Sequence, residues 1–382
     1  MTVQRLNHLH PSSRRQRRRR IDGTALLEPV IRRNKTRPVF VGGVQVGGGA
    51  PVAVQSMTCT DTRDIEATAG QIGALEEAGC EIVRVAVPDL EAAAAIAAIR
   101  KKINIPLIAD IHFNHRLALE AMKRGADGIR INPGNMAVDR LKTVVRAAKA
   151  RDAAIRIGIN AGSLEKDLLE KHGGPAPDAL VESALRCLDL FESMNFRNVK
   201  LSLKSSDVPT MVEAYRAMAG KSDYPLHLGV TEAGTLVNAA VKSAIGIGIL
   251  LHEGIGDTIR VSVTGSPVLE IGVAYGILRA LNIRKVGPDI ISCPTCGRCE
   301  IDLFRLSGEI EGKLYGLKSN LKIALMGCVV NGPGEAAEAD IGIAGGRGSG
   351  ILFKKGKIVR KLREEEFVPV LIEEIERMTS GN

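Results

Sequence analysis

Residues 50–282 contain eight short runs rich in β-branched residues, and each run precedes a stretch of helix-forming composition. We predict strands at 52–57, 82–87, 107–113, 129–132, 155–160, 199–204, 226–231 and 259–264. The predicted helices are 64–79, 89–102, 115–125, 137–150, 178–194, 208–220, 236–252 and 268–281. Eight consecutive βα units favour an α/β fold in which a parallel sheet closes into a TIM-like (β/α)8 barrel.

Polar and apolar residues alternate inside these predicted strands. Side chains on a strand point to opposite faces with a period of two, so one face packs against helices and the other faces the lumen. The polar residues of the lumen face are Arg84, Asp110, His112, Arg130, Asn132, Arg156, Asn160, Lys200, Ser202, Lys204, Arg260 and Ser262. They fall near the C-terminal strand ends, where the active sites of such barrels form.

Four of these residues, Arg84, Arg130, Lys204 and Arg260, place positive charge on four different strands. Any one of them could be a satisfied polar core residue or half of a strand-end salt bridge. Several cations facing one lumen imply a bound anion, because buried charge without a partner is costly. A phosphate or diphosphate fits best, since its oxygens match the planar fork of arginine.

Three residues are placed to move protons in this lumen: Asp110, His112 and Glu232. Glu232 lies in T-E-A-G, just past the seventh predicted strand, where a carboxyl group can reach a substrate over the barrel mouth. A carboxyl group beside anions favours its acid form, which suits general acid catalysis. The alternative is a glutamate that only interacts with the dipole of the following helix.

The formal charge of +9 is concentrated at the N-terminus, because seven arginines in residues 1–20 leave only +2 on the remainder. We predict a disordered Arg-rich tail over residues 1–24, with RNA contact or targeting as the alternatives. The tail lacks the apolar segment of a secretory signal, and no apolar run approaches the roughly 18 residues of a membrane span. We therefore expect a cytoplasmic protein with reduced thiols, without a membrane or nucleic-acid partner.

The barrel pattern ends after Leu281, and the rest of the chain is too short for a second barrel. We predict a barrel domain over 25–282 and a small α+β domain over 283–382. In the small domain, strands are expected at 322–326, 351–354 and 357–360 and helices near 299–313 and 366–379. The Gly-rich segment 345–350 lacks the lysine of a P-loop and is interpreted as a hairpin or mobile loop.

Four of the seven cysteines lie in this small domain, three in C-P-T-C-G-R-C and one in G-C-V-V-N-G-P-G-E. They are Cys293, Cys296, Cys299 and Cys328, and no histidine follows His252. C-P-x-C-G is common in zinc knuckles, although a zinc ribbon usually closes with a second C-x-x-C. C-x-x-C-x-x-C with a remote cysteine also fits 4Fe–4S ligation, in which Cys299 could be the third ligand.

Many motifs of this chain together resemble the 4-hydroxy-3-methylbut-2-enyl diphosphate synthases of the bacterial type, from about Arg33 to the C-terminus. The motifs include I-V-R-V-A-V-P at 82–88, A-D-I-H-F at 109–113, R-I-N-P-G-N at 130–135, N-A-G-S-L-E-K-D-L at 160–168, H-L-G-V-T-E-A-G at 227–234, C-P-T-C-G-R at 293–298 and G-C-V-V-N-G-P-G-E at 327–335. Only about ten residues separate Leu281 from Cys293, which leaves no room for the extra domain of plant relatives.

The resemblance implies two-electron reductive ring opening and dehydration of 2-C-methyl-D-erythritol 2,4-cyclodiphosphate, which gives 4-hydroxy-3-methylbut-2-enyl diphosphate in the non-mevalonate isoprenoid pathway. It implies one 4Fe–4S cluster per chain, held by Cys293, Cys296, Cys328 and Glu335, with Cys299 as a bystander. A carboxylate binds iron more weakly than a thiolate, so Glu335 could leave one position open for a substrate oxygen.

The resemblance also assigns roles in the lumen and partners outside it. The diphosphate would be bound by Arg84, Arg130, Lys204 and Arg260, and the rest of the substrate oriented by Asp110, His112, Asn132, Asn160 and Ser262. Glu232 would be the acid nearest the reacting bonds. Flavodoxin or ferredoxin would deliver electrons, and a homodimer would place each cluster domain over the partner's barrel. The rival interpretation is a phosphate-binding barrel lyase or synthase with a structural zinc knuckle.

Overall fold

Eight parallel strands form a barrel in the computed structural model, which describes residues 31–314, 316–328 and 336–380. The eight barrel strands are β3 (Ala53–Met57), β4 (Ile82–Ala86), β5 (Leu107–Ile111), β6 (Gly128–Ile131), β7 (Ala154–Asn160), β8 (Val199–Lys204), β9 (His227–Leu228) and β10 (Thr258–Ile259). Two shorter strands, β1 (Val39–Val41) and β2 (Val44–Val46), precede them in the chain. The barrel order is β8-β7-β6-β5-β4-β3-β10-β9, and a parallel bridge between Leu201 and Leu226 closes the ring. The predicted TIM-like barrel is confirmed. The predicted tail, 1–24, lies outside the described residues.

Helices follow the barrel strands and cover their outer faces. They are α1 (Ile65–Glu77), α2 (Leu90–Arg100), α3 (His115–Lys123), α4 (Val138–Arg151), α5 (Lys166–His172), α6 (Pro177–Ser193), α7 (Val208–Ala219), α8 (Leu236–His252) and α9 (Pro267–Ala280). Asp64, Asp89 and Asp207 start α1, α2 and α7, because each side chain accepts a backbone N–H of the first turn. The short helix α5 was not predicted. None of the described helices is long and apolar enough to cross a membrane.

The outward side chains of the strands and the inward side chains of the helices form one large core. Val83 and Val85 of β4, for example, are fully buried in the same cluster as Ile96 and Ile99 of α2. Each such side chain contributes roughly 1.5–3 kcal/mol when it leaves water. The remaining strand face is therefore free to carry the polar lumen residues.

The last two barrel strands, β9 and β10, are shorter than the predicted 226–231 and 259–264, so those bounds are wrong. The ladder ends at Arg260, whose backbone N–H still donates to Leu228. Beyond it the donors find partners outside the sheet, since Val263 N bonds the Glu270 carboxylate and Thr264 N bonds the Gly234 carbonyl. Hydrogen bonding to loops and side chains replaces strand pairing at this point of the mouth.

A two-stranded hairpin, which the sequence patterns did not predict, covers the N-terminal end of the barrel. β1 and β2 pair antiparallel, and Val39, Val41 and Val46 of the hairpin are buried. They pack against residues at the start of barrel strands, including Ala53 and Ile82. The hairpin therefore closes this end, and the lumen opens only toward the C-terminal strand ends in the described part of the chain.

The small domain contains a second sheet with its own core. Its strands are β11 (Asp289–Ser292), β12 (Lys322–Met326), β13 (Ile341–Gly346), β14 (Ser349–Lys354) and β15 (Lys357–Arg363), paired in that order, with helices α10 (Leu303–Lys313) and α11 (Phe367–Thr379). The first three strands are parallel and the last two antiparallel. This confirms the predicted α+β module, although β11 and β13 were not predicted. Segment 345–350 is the turn of the β13–β14 hairpin.

The linker between the two sheets is fastened to the N-terminal end of the barrel. Arg284 donates to the carbonyl of Val52, just before β3, at 2.7 Å and forms an ion pair of 2.7 Å with Glu81, just before β4. Its guanidinium also lies over the ring of Tyr275, 5.6 Å from the centroid. Arg279 of α9 adds an ion pair of 3.3 Å with Asp289 of β11. The small domain therefore leaves its barrel at the end opposite to the mouth. The exact boundary at residue 282 stays a prediction.

Candidate active site

The lumen of the barrel is strongly cationic. Its described residues include six positively charged side chains and two carboxylates, namely Arg84, Arg130, Arg156, Lys200, Lys204, Arg260, Asp110 and Glu270. Strand register explains this crowding, because Arg130 of β6 lies beside Asp110 of β5 and Arg156 of β7, and Arg156 lies beside Lys200 of β8. Because every second residue of these strands faces the lumen, charged residues that are far apart in the sequence lie side by side in one buried cluster.

Asp110 is the centre of one hydrogen-bonded network. Its carboxylate lies 3.3 Å from Nη1 of Arg130 and 3.7 Å from Nε of Arg84. Burial alone would raise the pKa of Asp110, but the charges of Arg84 and Arg130 outweigh it and hold this pKa well below its usual range. Nε2 of the half-exposed His112 lies 3.2 Å from Arg130 Nη1 and 3.5 Å from Asp110 Oδ2. The structure brings these four predicted site residues together.

Glu270 is a site residue that the strand patterns missed, because it belongs to α9. Its buried carboxylate accepts hydrogen bonds from Arg260 at 2.9 and 3.2 Å and from the hydroxyl of Ser56 at 2.7 Å. Arg260 therefore forms a salt bridge within the protein, which was the alternative role given above for any single lumen cation. The available signal was one acidic residue in the first turn of an otherwise apolar helix.

The two lumen lysines, Lys200 and Lys204, contact no carboxylate among the described residues. Lys200 Nζ lies 3.4 Å from the amide oxygen of Gln55. Burial, with the charge of Arg156, lowers the pKa of Lys200 to about 7 and that of Lys204 well below its ordinary value. A bound anion would reverse both shifts, since an opposite charge favours the protonated lysine.

Several buried donors of the lumen have no hydrogen-bond partner among the described residues. They are Nε of Arg130, Nε and Nη2 of Arg156, and Nε2 of Gln55. Leaving a buried donor unsatisfied costs about 1–3 kcal/mol, so these groups call for acceptors such as phosphate oxygens or ordered water. The arrangement is incomplete as a protein core and fits an anion-binding site.

Two glycines of the lumen make room for the cations. A Cβ at Gly158 would overlap Nε of Arg130, and a Cβ at Gly229 would lie 2.7 Å from Nζ of Lys204. Arg130 in turn donates to the carbonyl of Gly158 at 3.1 Å. At Gly229 a Cβ would also lie 2.6 Å from the carbonyl of Arg260, so both positions admit only glycine without a shift of their neighbours.

The predicted polar residues at the mouth fall into two groups. Asn132 donates to Ser163 at 2.6 Å and accepts from the backbone N–H of Gly134. The Asn160 oxygen accepts from Arg130 Nη2 at 3.1 Å in the amide orientation in which its nitrogen also donates to the carbonyl of Ile159. Ser262 lies past the end of β10, partly exposed and in no side-chain hydrogen bond of the described residues. The two asparagines are thus held in place, whereas the Ser262 hydroxyl is free to meet a ligand.

Glu232 lies at the mouth between β9 and α8, with its side chain exposed. Its backbone adopts φ +53°, in the left-handed region that a residue with a Cβ rarely occupies. Such strain costs of order 1–3 kcal/mol and concentrates at functional sites. Glu232 is one of five non-glycine residues with a positive φ in the described part of the chain, so the conformation alone assigns it no role.

The small domain brings its cysteines to one edge of its sheet. Cys293 follows β11 and Cys328 follows β12, and these adjacent strands are parallel. The backbone N–H of Gly327 donates to the sulfur of Cys293 at 3.2 Å. Cys296 is exposed, and a hydrogen bond from the backbone of Arg298 lowers the pKa of its thiol. The hydrogen bond to Cys296 favours its thiolate, which is the form that binds metals.

Cys299 makes different contacts from the other three. Its thiol donates to the carbonyl of Ile301 at 3.2 Å, and a Cβ at Gly327 would overlap its sulfur. Glu335 lies outside the described residues. Within the described ranges, no three Cys, His, Asp or Glu side chains converge on a metal position.

Comparison with known proteins covers both parts of the chain. Residues 36–275 match the family model of the GcpE TIM-barrel domain, and residues 289–377 match that of the GcpE protein C-terminal domain. The 4-hydroxy-3-methylbut-2-en-1-yl diphosphate synthase (flavodoxin) of Thermodesulfovibrio yellowstonii is 58% identical over 349 residues, which are 91% of this chain and 100% of the relative. The enzyme of the same name from Maridesulfovibrio salexigens is 58% identical over 91% of this chain and 98% of the relative.

Among solved structures, dihydropteroate synthase from Xanthomonas albilineans is similar to 64% of this chain and covers 99% of its own, with a TM-score of 0.46 and 12% identity. The two family models and the extensive identity confirm the family, fold class and enzyme class that the motifs predicted. The chain belongs to the GcpE family, the 4-hydroxy-3-methylbut-2-en-1-yl diphosphate synthases.

Proposed function

We propose that the cationic lumen binds the diphosphate of 2-C-methyl-D-erythritol 2,4-cyclodiphosphate while the ring is opened by reduction. Two electrons and two protons enter, one carbon–oxygen bond to the ring diphosphate breaks, and one hydroxyl group leaves as water. The product, 4-hydroxy-3-methylbut-2-enyl diphosphate, keeps the diphosphate. The observation that carries this proposal is the surplus of buried cations over carboxylates in the lumen.

The lumen residues would bind different parts of the substrate. Arg84, Arg130 and Lys204 would contact phosphate oxygens, since their buried charges exceed what Asp110 can neutralise. Arg260, held by Glu270, presents its remaining guanidinium edge to the same anion. Asn132, Asn160, Ser262 and His112 would orient the hydroxyl groups of the substrate, with Asp110 fixing the arginine positions.

Glu232 would supply the proton that lets a hydroxyl group leave as water. It stands at the mouth rather than in the cation cluster, so its acid form can meet a diphosphate-bound substrate from above. An anionic ligand raises the pKa of a nearby carboxyl group, which favours this acid role.

We assign the small domain one 4Fe–4S cluster per chain, held by Cys293, Cys296, Cys328 and Glu335. The donor chemistry fits, because soft thiolates at one sheet edge are the ligands that iron–sulfur clusters take. When bound, the cluster would supply electrons and one iron position that the weaker carboxylate ligand can vacate. Cys299 is left out of this set, since its thiol donates to a backbone carbonyl.

The cofactor assignment is tested by anaerobic purification followed by visible absorption and analysis of iron, acid-labile sulfide and zinc. We expect four iron and four sulfide per chain. Stoichiometric zinc without sulfide would support the zinc knuckle and overturn the cluster. Reduction of cyclodiphosphate by the purified enzyme, followed by phosphorus NMR of the product, tests the activity itself.

The position of the linker supports a homodimer in which each small domain acts on the partner's barrel. Arg284 fastens the linker at the N-terminal strand ends, whereas the candidate site opens at the C-terminal ends. The height of the barrel therefore lies between the cysteines and the mouth of the same chain. A second copy in opposite orientation would bring its cysteines to that mouth.

Complementation tests this arrangement. One chain carries Arg130→Met, which damages the barrel site, and the other carries Cys296→Ser, which removes an exposed thiol without disturbing a core. Coexpressed chains that act in trans should regain about a quarter of wild-type turnover, since half of the dimers are hybrids with one intact site. Homodimers of each variant serve as controls, and no recovery in purified hybrids would show that each domain acts in its own chain.

The physiological electron donor would be flavodoxin or ferredoxin, in the reducing cytoplasm. The relatives named above carry flavodoxin in their names. Turnover with each reduced donor, measured at matched concentration against a chemical reductant, separates the two. A chain that turns over only with the chemical reductant would contradict both assignments.

A further inference from the structure

Strand β15, at one edge of the small domain, presents apolar and basic side chains to solvent. Its sequence K-I-V-R-K-L-R contains four Lys or Arg and no carboxylate, and only Leu362 of its seven residues is buried. Ile358 and Val359 are 66 and 48% exposed. The β15 patch is defined here as Lys357, Ile358, Val359, Arg360 and Lys361. An apolar centre inside a charged rim is the usual composition of a surface that binds another protein.

Part of the positive charge of the patch is left unpaired by the small domain. Arg360 lies 3.7 Å from Glu366, whereas Lys357 and Lys361 contact no carboxylate among the described residues. Exposed charges act on each other over about 8–10 Å at physiological ionic strength. The two lysines can therefore attract carboxylates of a second protein.

Lysines on an edge strand can also serve only to prevent pairing with another sheet. That role does not explain the exposed apolar pair between them, which makes an edge more prone to aggregate. The register shifts between Leu352 and Phe353, so Val359 has no partner on β14. A β-bulge of this kind bends the strand and changes the direction of its side chains. The patch is therefore suited to side-chain contacts with a folded partner, not to the addition of a strand.

The direction of β15 brings one end of the patch toward the cysteines. β14 is antiparallel to both β13 and β15, so β15 runs in the same direction as β11 and β12. Its C-terminal end therefore lies at the same edge of the sheet as Cys293 and Cys328. Three strand spacings, roughly 14 Å, separate β15 from β12. A bound protein about 30 Å across would reach from the patch to the cysteines.

The patch lies on the side of the small domain away from the linker. β11 follows the linker and forms one edge of the sheet, whereas β15 forms the opposite edge. In the proposed homodimer the cysteine end of the sheet faces the partner's barrel mouth. The flank formed by β15 is perpendicular to that end, so it can bind a further protein while the cysteines face the mouth.

We propose that the β15 patch binds the reduced flavodoxin that delivers electrons to the small domain, through carboxylates on the flavodoxin surface. This inference rests on the electron donor proposed above and adds the surface on which that donor docks. Ile358 and Val359 form the centre of the contact, and the lysines steer the approach. Contacts between electron carriers are small, below about 1,200 Å², so a patch of five residues is a substantial part of one.

The double variant Lys357→Glu/Lys361→Glu tests the patch. Both lysines are exposed, so the fold of the small domain is kept. We expect the Kd for flavodoxin, measured by calorimetry, and its apparent KM in turnover to rise by about tenfold or more, because two repulsive charges replace two attractive ones. Turnover driven by dithionite should stay unchanged, since a small reductant needs no docking surface.

The matched control is Lys313→Glu/Lys318→Glu, which changes the net charge of the small domain equally. Both lysines are exposed and precede the N-terminal end of β12, away from the cysteines. The control should keep the wild-type Kd and KM for flavodoxin. An equal loss in this control would overturn the patch, because net charge alone would then explain the effect.

Salt and the apolar centre provide independent tests. Higher ionic strength should weaken flavodoxin binding by the wild type more than by the lysine variant, since salt screens exposed charge. Ile358→Ser should weaken binding by about five- to tenfold and keep the salt dependence of the wild type, because it removes buried apolar area but no charge. Wild-type affinity of Ile358→Ser would contradict the apolar centre.

The outcomes separate this inference from the proposed function. Unchanged Kd and KM in the lysine variant would refute the β15 patch while leaving flavodoxin as the donor. A wild type that turns over with dithionite but does not bind flavodoxin would refute the donor and this inference with it. A wild type without turnover would contradict the proposed reaction, whereas a flavodoxin Kd that rises in the lysine variant would still support the patch.

Discussion

Arg260 forms an ion pair of 2.9 Å with Glu270, so a lumen cation supplied by a strand is held by a carboxylate supplied by a helix. Ser56 of β3 donates a hydrogen bond to the same carboxylate, from the strand face that packs against α9. The hydrogen bond from Ser56 to Glu270 therefore links the first βα unit of the barrel to the last. Its position makes Glu270 both a structural element and a limit on the charge that Arg260 offers to substrate.

Glu270→Gln should lower the free energy of unfolding by about 2–4 kcal/mol, because it leaves a nearly buried guanidinium without its charge partner. Denaturant unfolding measures the change. The matched control is Glu253→Gln, whose partner Arg216 is largely exposed, so the loss should stay below about 1 kcal/mol. Equal effects of the two changes would contradict the buried role of Glu270.

Arg130→Met should weaken binding of cyclodiphosphate by about 10-fold to 100-fold, since it removes charge-assisted hydrogen bonds to phosphate. Titration calorimetry with cyclodiphosphate or pyrophosphate measures this loss. Arg100→Met removes a cation near the opposite end of the barrel, where Arg100 pairs with Asp127 at 3.4 Å, and should leave the affinity unchanged. Unchanged affinity of Arg130→Met would exclude this arginine from the anion site.

Stability of the ligand-free protein should rise with pH between 7 and 8.5. Lys200 has a pKa of about 7 in the folded chain and an ordinary value of 10.5, so the unfolded chain binds more protons in this range. The gain should be roughly 1–2 kcal/mol in denaturant unfolding. Above this window the trend weakens, because burial raises the pKa of Cys80 to about 12 and unfolding then releases its proton.

Two additions make the pH experiment specific to the lumen. Lys200→Met should reduce the slope without abolishing it, since Lys204, whose pKa is also lowered, remains. Pyrophosphate should stabilise the protein most at pH 7, because its charge restores the protonated form of both lysines. A pH dependence that survives in Lys200→Met with unchanged slope would assign it to other groups.

Glu232→Gln should reduce turnover by about 100-fold or more and leave binding of the cyclodiphosphate within a factor of two, as expected for loss of a general acid. Single-turnover kinetics and calorimetry separate the two quantities. Glu232→Gly should also lose turnover but gain up to about 1 kcal/mol in stability, since glycine accepts the left-handed backbone without strain.

Lys355→Gly provides the control for that gain. Lys355 also has a positive φ, +47°, but lies in the turn before β15, outside the candidate site. It should gain similar stability with full turnover. If Glu232→Gln kept wild-type turnover, the acid would have to be sought among other mouth residues.

Cys299→Ser should retain the visible absorption and most of the turnover, whereas Cys293→Ser should lose both. The reason is the different contact of each sulfur, since Cys293 accepts a backbone N–H and Cys299 donates to a carbonyl. Glu335→Ala should impair turnover more than Cys299→Ser. The reverse order would favour the alternative ligand set, in which four cysteines including Cys299 bind the metal.

Local periodicity predicted most of the barrel and of its lumen. The alternation at Arg84, Asp110, Arg130 and Lys204 depends only on strand geometry, so it could be extracted from the chain without knowing any contact. The ends of β9 and β10 could not, because their backbone donors turn to the Glu270 carboxylate and the Gly234 carbonyl. The predicted strand bounds are therefore wrong where backbone N–H groups donate to side chains and loops instead of to a neighbouring strand.

The sequence by itself determined the fold class, the lumen side of six of the eight barrel strands, the grouping of cysteines and the family. These follow from spacing and motif, which are local. Only the tertiary structure decided that Glu270 reaches Arg260, that the Gly158 and Gly229 positions admit cations, and that Arg284 fastens the linker at the far end of the barrel. Such relationships join residues distant in the chain, and packing of whole helices and strands sets them.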